Sequence, residues 1–226
     1  MTISVVIPAR NEEHFIGTCL KSLMNQEVMP DEIIVVNNNS TDKTSEVLKE
    51  YPVKVVMSHE PGIAKTRTRG FNEAKSDIIA RTDADSQIPR DWIKKIKNHF
   101  EHESIDAVFG PIYYLDFPIK ATFYSEFFVY LMRIIQGHHT IIGPNMAITK
   151  KIWDKVKSQT CEDDHKVHED IDLGYHINAV GGKIVYDRSM IVATSGRRIK
   201  GNMLSFFGEY PIRLFKTLEI HKNVKD

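Results

Sequence analysis

The sequence predicts an α/β fold in which a mostly parallel, Rossmann-like sheet is flanked by helices within a single domain. Three observations carry that expectation. Residues 3–7, 33–36, 53–57 and 77–82 are short, apolar, β-branched-rich runs without polar alternation, the pattern of strands buried on both faces. Between them lie segments whose apolar residues recur at helical spacing, so strand and helix alternate along the chain. The length of 226 residues fits one such domain with a substantial core.

The first strand, residues 3–7, is stopped by Pro8. Asn11 is placed to cap the helix that follows, with Glu12 and Glu13 at its positive end and Phe15, Ile16, Cys19, Leu20, Leu23 and Met24 as its apolar face. After the second strand, Ser40-Thr41-Asp42 opens a second helix. Residues 53–57 form the third strand, 62–75 a helix, 77–82 the fourth strand and 91–102 the next helix. Beyond about residue 105 the alternation loosens. Residues 107–109, 146–149 and 183–186 read as strands, and 117–135 as a long amphipathic helix. The partly apolar insert between Gly110 and Gly143 suits either a wall beside a site or plain core packing.

Composition excludes several classes. Thirty basic and thirty acidic residues give a net charge of zero, so no cationic field invites nucleic acid. Cys19 and Cys161 lack metal or disulfide spacing, which favours a reduced cytoplasmic setting, and no signal peptide is apparent. No apolar run approaches the ~20 residues of a membrane span. Residues 123–135 and 203–218 come closest, each interrupted by charge, and helices of this kind can lie on a membrane surface. The ten histidines show no His-x-x-x-His or paired-Cys spacing for zinc and read as surface or acceptor-contact residues. Trp92 and Trp153 are assigned to packing.

The chemistry gathers at the strand exits, where open α/β sheets bind ligands. Asp83-Ala84-Asp85 offers two carboxylates on alternate residues between the fourth strand and the break at Ser86-Gln87-Ile88-Pro89. Alone, Asp-x-Asp is most often a polar turn. Placed here, it can grip a hard divalent cation and through it a diphosphate. The first strand runs into Pro8-Ala9-Arg10-Asn11-Glu12, which suits a planar base or an anion. The second runs into Asn37-Asn38-Asn39, whose amides can both donate and accept, or simply build a turn. Lys65, Arg67 and Arg69 alternate on a helix, so one of them reaches the site. Far along the chain, Glu169-Asp170-Ile171-Asp172 either complements a helix dipole or supplies a general base.

These motifs together resemble the family-2 glycosyltransferases of the GT-A fold over roughly residues 2–190. Residues 4–12 are similar to the family's opening strand and base-binding loop, 33–42 to its "VVDDGSTD" stretch, and Gly62 to Gly70 to its "GxxxARNxG" segment. Asp83-Ala84-Asp85 resembles its metal motif, Gly143-Pro144-Asn145-Met146-Ala147 its "GxNxAF" segment and Glu169 to Leu173 its "EDxDL" motif. The resemblance implies a donor half over about 1–110 and an acceptor half over about 111–226 that ends in an amphipathic helix. It implies Mn2+ or Mg2+ on Asp85 and Asp83, and a nucleoside-diphosphate sugar against Pro8, Ala9, Arg10, Glu12, Asn38, Arg67 and the Asp83-Ala84-Asp85 turn. It implies Asp170 as general base for inverting transfer to a sugar, glycan or lipid-linked hydroxyl. Asn145 and Glu169 become candidates at the acceptor, and Arg197 and Arg198 candidates for a clamp over the donor.

The departures shape the expectation. Asn38 stands where the family usually has Asp, and Thr68 where it has Asn, so the base is open. The Gln-x-x-Arg-Trp element of processive synthases is absent, which argues for transfer of a single sugar. Polyprenyl-phosphate sugar synthases share the opening motif, the Asp-x-Asp and the following Gln87, but their phosphate acceptor needs no strong base. A nucleotidyltransferase would carry a glycine-rich basic loop after the first strand. A donor-binding module without transfer is the remaining alternative, opposed by Asp83, Asp85 and Asp170.

Overall fold

The computed structural model describes residues 1–117, 121–197 and 203–222. Strand β1 (Ile3–Ala9) is buried along its whole length, as its unbroken apolar run requires. It pairs in parallel with β2 (Glu32–Asn38) on one side and β4 (Ile78–Arg81) on the other, and β3 (Lys54–Ser58) extends the sheet beyond β2. Past β4 the sheet continues through β7 (Met146–Thr149), antiparallel to both neighbours, then β5 (Ala107–Phe109) and, parallel to it, β8 (Ile184–Tyr186). The order in this seven-stranded, mostly parallel sheet is β3-β2-β1-β4-β7-β5-β8. A second, two-stranded sheet pairs β6 (Ile112–Tyr114) with β9 (Val192–Thr194).

The helices are α1 (Ile16–Met24), α2 (Thr44–Leu48), α3 (Ile63–Glu73), α4 (Trp92–His102), α5 (Phe123–Gln136), α6 (Lys150–Val156), α7 (Glu169–Ala179) and α8 (Met203–Lys222). Gly70 lets α3 lie directly on β1 and β2. A Cβ there would stand 2.3 Å from Val6 Cγ1 and 2.9 Å from Val36 Cγ2. The main core runs through the sheet from Ile3 to Val192, and a smaller apolar cluster of Met132, Ile171 and Tyr175 joins α5, α7 and α8.

Several expectations are corrected in detail. Asn11 does not cap α1, which begins five residues later. It sits at φ 55°, and its Oδ1 accepts from the Thr41 amide at 2.8 Å, because the two strand-exit loops are laced together. Glu13 accepts from Lys43 N and donates its own N–H to Asp42, so these acids join loops instead of facing a helix end. The second helix begins at Thr44, with Asp42 accepting from the Thr44 amide at 3.0 Å. The long helix begins at Phe123, with 118–120 outside the described residues. Strands β6 and β9 and helix α6 are additions that the sequence did not announce, since three-residue strands carry too little pattern.

Candidate active site

Because β1, β2 and β4 are parallel neighbours, their carboxyl ends lie side by side at one sheet edge. Pro8 and Ala9 end β1 in register with Val36 and Asn37, and Arg10 beyond them is exposed. Asn38 ends β2 and is buried. Its Nδ2 donates to Thr66 Oγ1 at 2.5 Å and to the Gly62 carbonyl at 3.2 Å. Because a carbonyl can only accept, Gly62 O fixes which way the amide faces. The buried Oδ1 is left without a hydrogen-bond partner. Its neighbours are used differently: Asn37 Nδ2 donates to Ser45 and Asn39 Nδ2 to the His59 carbonyl.

The Gly62 carbonyl is placed by a backbone that only glycine adopts readily. Gly62 caps α3 at φ 124°, and a Cβ there would lie 2.8 Å from Asp164 Oδ2. That Asp164 carboxylate accepts from the amides of Ile63 and Ala64 at 2.6 and 3.0 Å, satisfying the positive end of α3.

Asp83 and Asp85 follow β4 in a tight turn, with buried Ala84 between them. Asp83 Oδ1 lies 3.3 Å from Arg81 NH2, with its side chain 27 % exposed. Asp85 is buried. Its Oδ1 accepts from Thr194 Oγ1 at 3.2 Å and its Oδ2 stands 3.3 Å from Arg197 Nε. The small sheet explains this approach. An antiparallel bridge between Gln87 and Ala193 lays β9 beside the turn, and Arg197 follows three residues after Thr194. Arg197 NH2 also pairs with both carboxylate oxygens of buried Glu12, and its guanidinium lies 4.1 Å from the Phe15 ring centroid. A cation thus already stands against Asp85 and Glu12. Carboxylate oxygens are the donor type that a hard divalent ion such as Mn2+ or Mg2+ prefers. Burial, then Asp85 and Asp83, push the Cys19 thiol beneath the turn well above its usual value. Arg198 lies outside the described residues.

The second half of the site is α7. Glu169 is buried between two guanidiniums. Arg81 NH1 pairs with Oε1, and Arg67 NH1 lies 3.3 Å from Oε2 and donates to the Glu169 carbonyl at 2.9 Å. Burial alone would raise the Glu169 carboxyl, but Arg81 and Arg67 hold it below its ordinary value. Asp170 beside it behaves oppositely. Burial and the Glu169 charge raise it, against weaker opposing effects from His168, Arg81 and the Gly143 amide. Its Oδ2 accepts from Gly143 N at 3.1 Å and its Oδ1 from Ile171 N at 2.9 Å. A carboxylate with a raised proton affinity, next to one clamped in its ionised form, can take a proton.

The structure therefore brings together Asp83, Asp85, Glu12 and Arg197 on one side, and Glu169 and Asp170 on the other, with Arg81 bridging the two. Arg67, expected at the donor, has a side chain with 0 % exposure and is bound to Glu169 and packed 5.5 Å from the Trp153 ring, so it meets the site only through Glu169. Lys65 and Arg69 pair with Glu60 and Glu73 outside. Asn145, a candidate at the acceptor, is fully buried. Its Oδ1 accepts from Trp92 Nε1 at 2.9 Å, and its Nδ2 donates to the Pro111 and Met190 carbonyls, so it fastens the fold. Glu169 likewise faces arginines and not an acceptor. Arg81 was missed as a site residue. An arginine inside an otherwise apolar strand needs a buried partner, and that was the available signal. Thr194 had none, because β9 is too short to read.

The family described as Glycosyl transferase family 2 matches residues 4–157. The chain is 29 % identical over 216 residues to the probable glycosyltransferase YdaM of Bacillus subtilis, covering 82 % of this chain and 50 % of that protein. It therefore spans half the length of this relative. Among solved structures, the glucosyl-3-phosphoglycerate synthase of Mycobacterium tuberculosis, in complex with Mn2+, UDP and glucosyl-3-phosphoglycerate, superposes with a TM-score of 0.74. That match is 18 % identical and covers 100 % of this chain and 81 % of that one. TarS 1–349 of S. aureus, in complex with UDP-GlcNAc, gives a TM-score of 0.71 at 20 % identity, covering 87 % of this chain and 59 % of that one. At these identities the two structures report a shared fold.

Proposed function

The chain belongs to glycosyl transferase family 2, and on that basis we propose that it is an inverting, metal-assisted enzyme that moves a single sugar from a nucleoside-diphosphate sugar to a hydroxyl. The observation that carries this reading is Arg81, which joins Asp83 to Glu169 and so holds the diphosphate corner next to Asp170. Pro8, Ala9, Arg10 and Glu12 line the base side, and the free Oδ1 of Asn38 accepts from the base edge. Asp85 and Asp83 would hold Mn2+ or Mg2+, which would supply neutralisation of charge on the departing diphosphate. The Mn2+ and UDP in the mycobacterial synthase complex support that choice of ion and donor. Arg197, which stands against Asp85 and Glu12, is the side chain placed to meet the diphosphate, with Arg198 adjacent in sequence.

Asp170 takes the proton of the acceptor hydroxyl. The acceptor oxygen attacks the anomeric carbon from the face opposite the diphosphate, the bond from that carbon to the diphosphate oxygen breaks, the nucleoside diphosphate leaves with that electron pair, and the sugar is joined to the acceptor oxygen with inverted configuration. Arg67 acts as a positioning residue through Glu169. The test is a screen of UDP-, GDP- and dTDP-sugars with Mn2+ or Mg2+, scored for transfer and for donor binding. Donor-dependent transfer to a hydroxyl with inversion supports the reading. Absence of both turnover and binding under every pairing sinks it.

One observation favours a lipid-linked hydroxyl presented at a membrane. The outward stripe of α5 consists of Phe123, Phe127, Tyr130 and Ile134, between 56 and 67 % exposed, while its inward face holds Ser125, Val129, Met132 and Gln136. Phe215 of α8 is 70 % exposed. Such faces fit an interfacial helix lying at the cytoplasmic surface of a bilayer. No helix of the described residues is long and apolar enough to cross a membrane. Co-sedimentation with anionic vesicles, lost in Phe127→Ser, would support this acceptor; no sedimentation of the parent protein would remove it.

A further inference from the structure

A second cluster of ligating side chains lies on α7, past the Asp170 turn. Asp172 and His176 are one helical turn apart, so they share a face of α7, and His221 reaches them from the end of α8. The Nε2 of His221 is 2.9 Å and that of His176 3.4 Å from the same oxygen, Asp172 Oδ1. The three ligand atoms lie within 4.8 Å of one another. Among the described residues this is the one group of three or more His, Cys, Asp or Glu whose ligand atoms converge in this way.

We infer that Asp172, His176 and His221 form a site for a zinc-class divalent metal that ties α7 to α8. The donor set decides the class. Two imidazole nitrogens and one carboxylate oxygen suit Zn2+ and its neighbours, whereas Mg2+ and Ca2+ prefer oxygen. Ligands held at the usual ~2.0–2.2 Å from a tetrahedral ion lie about 3.3 Å apart, and the two separations from Asp172 Oδ1 fall on either side of that spacing. A single imidazole on a carboxylate is an ordinary hydrogen bond. Two imidazoles aimed at one oxygen, from two helices, make a cage.

The surroundings fix the ligands as a metal site requires. Asp172 Oδ2 accepts from the Cys161 amide at 2.9 Å, which turns Oδ1 toward the histidines. Tyr175 stacks on the His221 ring at 4.3 Å and 13°, setting its plane. Thr217 accepts from the His168 amide at 2.9 Å, and its hydroxyl donates to the Arg213 carbonyl, which fastens α8 beside the start of α7. His176 is the least buried of the three ligands. The spacing was unreadable in sequence because α8 returns to α7 after 49 residues.

The test strips the purified full chain with a chelator, restores Zn2+ and measures bound metal by elemental analysis. The expected result is one zinc per chain, retained in Asp85→Ala and lost in His176→Gln and His221→Gln. Co2+ in its place should give the visible absorption of a four-coordinate ion, and Zn2+ should raise the melting temperature of the parent by several degrees but not that of His176→Gln. His176→Gln carries the test if the more buried His221→Gln does not fold. A parent chain that binds no zinc, or His176→Gln binding as much as the parent, overturns the site and leaves a hydrogen-bonded Asp-His-His triad.

Discussion

Arg81 and Glu169, 88 residues apart in sequence, form a buried ion pair in which the second nitrogen of Arg81 also holds Asp83. Through this one guanidinium, the strand-exit turn that carries Asp83 and the helix that carries Glu169 and Asp170 share a single electrostatic frame. Arg67 completes it from the other side of Glu169.

Glu169→Gln leaves the buried Arg67 guanidinium without its counter-charge and Arg81 with Asp83 alone. Breaking a buried pair in this way costs about 3–5 kcal/mol. Urea unfolding should show a loss of that order, and a loss under about 1 kcal/mol would mean that the arginines find other compensation.

Asp170→Asn should lower transfer by about 10²–10⁴-fold, the usual contribution of a positioned base, while calorimetry shows donor affinity unchanged. Since burial and Glu169 raise the Asp170 carboxyl, the acid limb of kcat/KM should lie above the ordinary Asp value of 3.8. A limb that stays in place when Glu169 is replaced by Gln would detach Asp170 from this profile.

Arg197→Ala removes the cation that stands against Asp85 and Glu12. Titrated with Mn2+ in the absence of donor, the variant should bind the ion several-fold more tightly than the parent. With donor present, KM should rise, because the group placed to meet the diphosphate is gone. Equal Mn2+ affinity in the two proteins would show that Arg197 and the metal do not compete.

Asp172 has its carboxyl lowered from 3.8 to about 2, with burial opposing and the His176, His221 and Cys161 contacts prevailing. A carboxyl with a depressed folded value contributes stability above its unfolded value and loses it as pH falls through the folded one. The contribution, about 2 kcal/mol for a shift of this size, should be present above pH 4 and fade toward pH 2. Acid unfolding of Asp172→Asn in chelator, compared with the parent, measures it. Parallel curves would remove the linkage.

The parallel order of β1, β2 and β4 was legible because apolar runs without alternation have one good burial, inside a doubly covered sheet. The places of Asp83-Ala84-Asp85 after β4 and of Asp170 in the first turn of α7 were legible because their motifs are local. The fates of Arg67, Asn145 and Glu169 were not. Residue type says that each can meet a ligand, yet two are consumed by an ion-pair frame and one by three hydrogen bonds that fasten the fold.

The sequence alone thus determined the fold class, the strand-exit edge and the carboxylates that stand there, since periodicity and short motifs are properties of neighbours in the chain. Only the tertiary structure decided the partners. Arg81 with Glu169, Arg197 with Asp85 and Glu12, and His221 with Asp172 are set by strand register and helix return over long separations. A buried charge takes whatever counter-charge that geometry brings within reach.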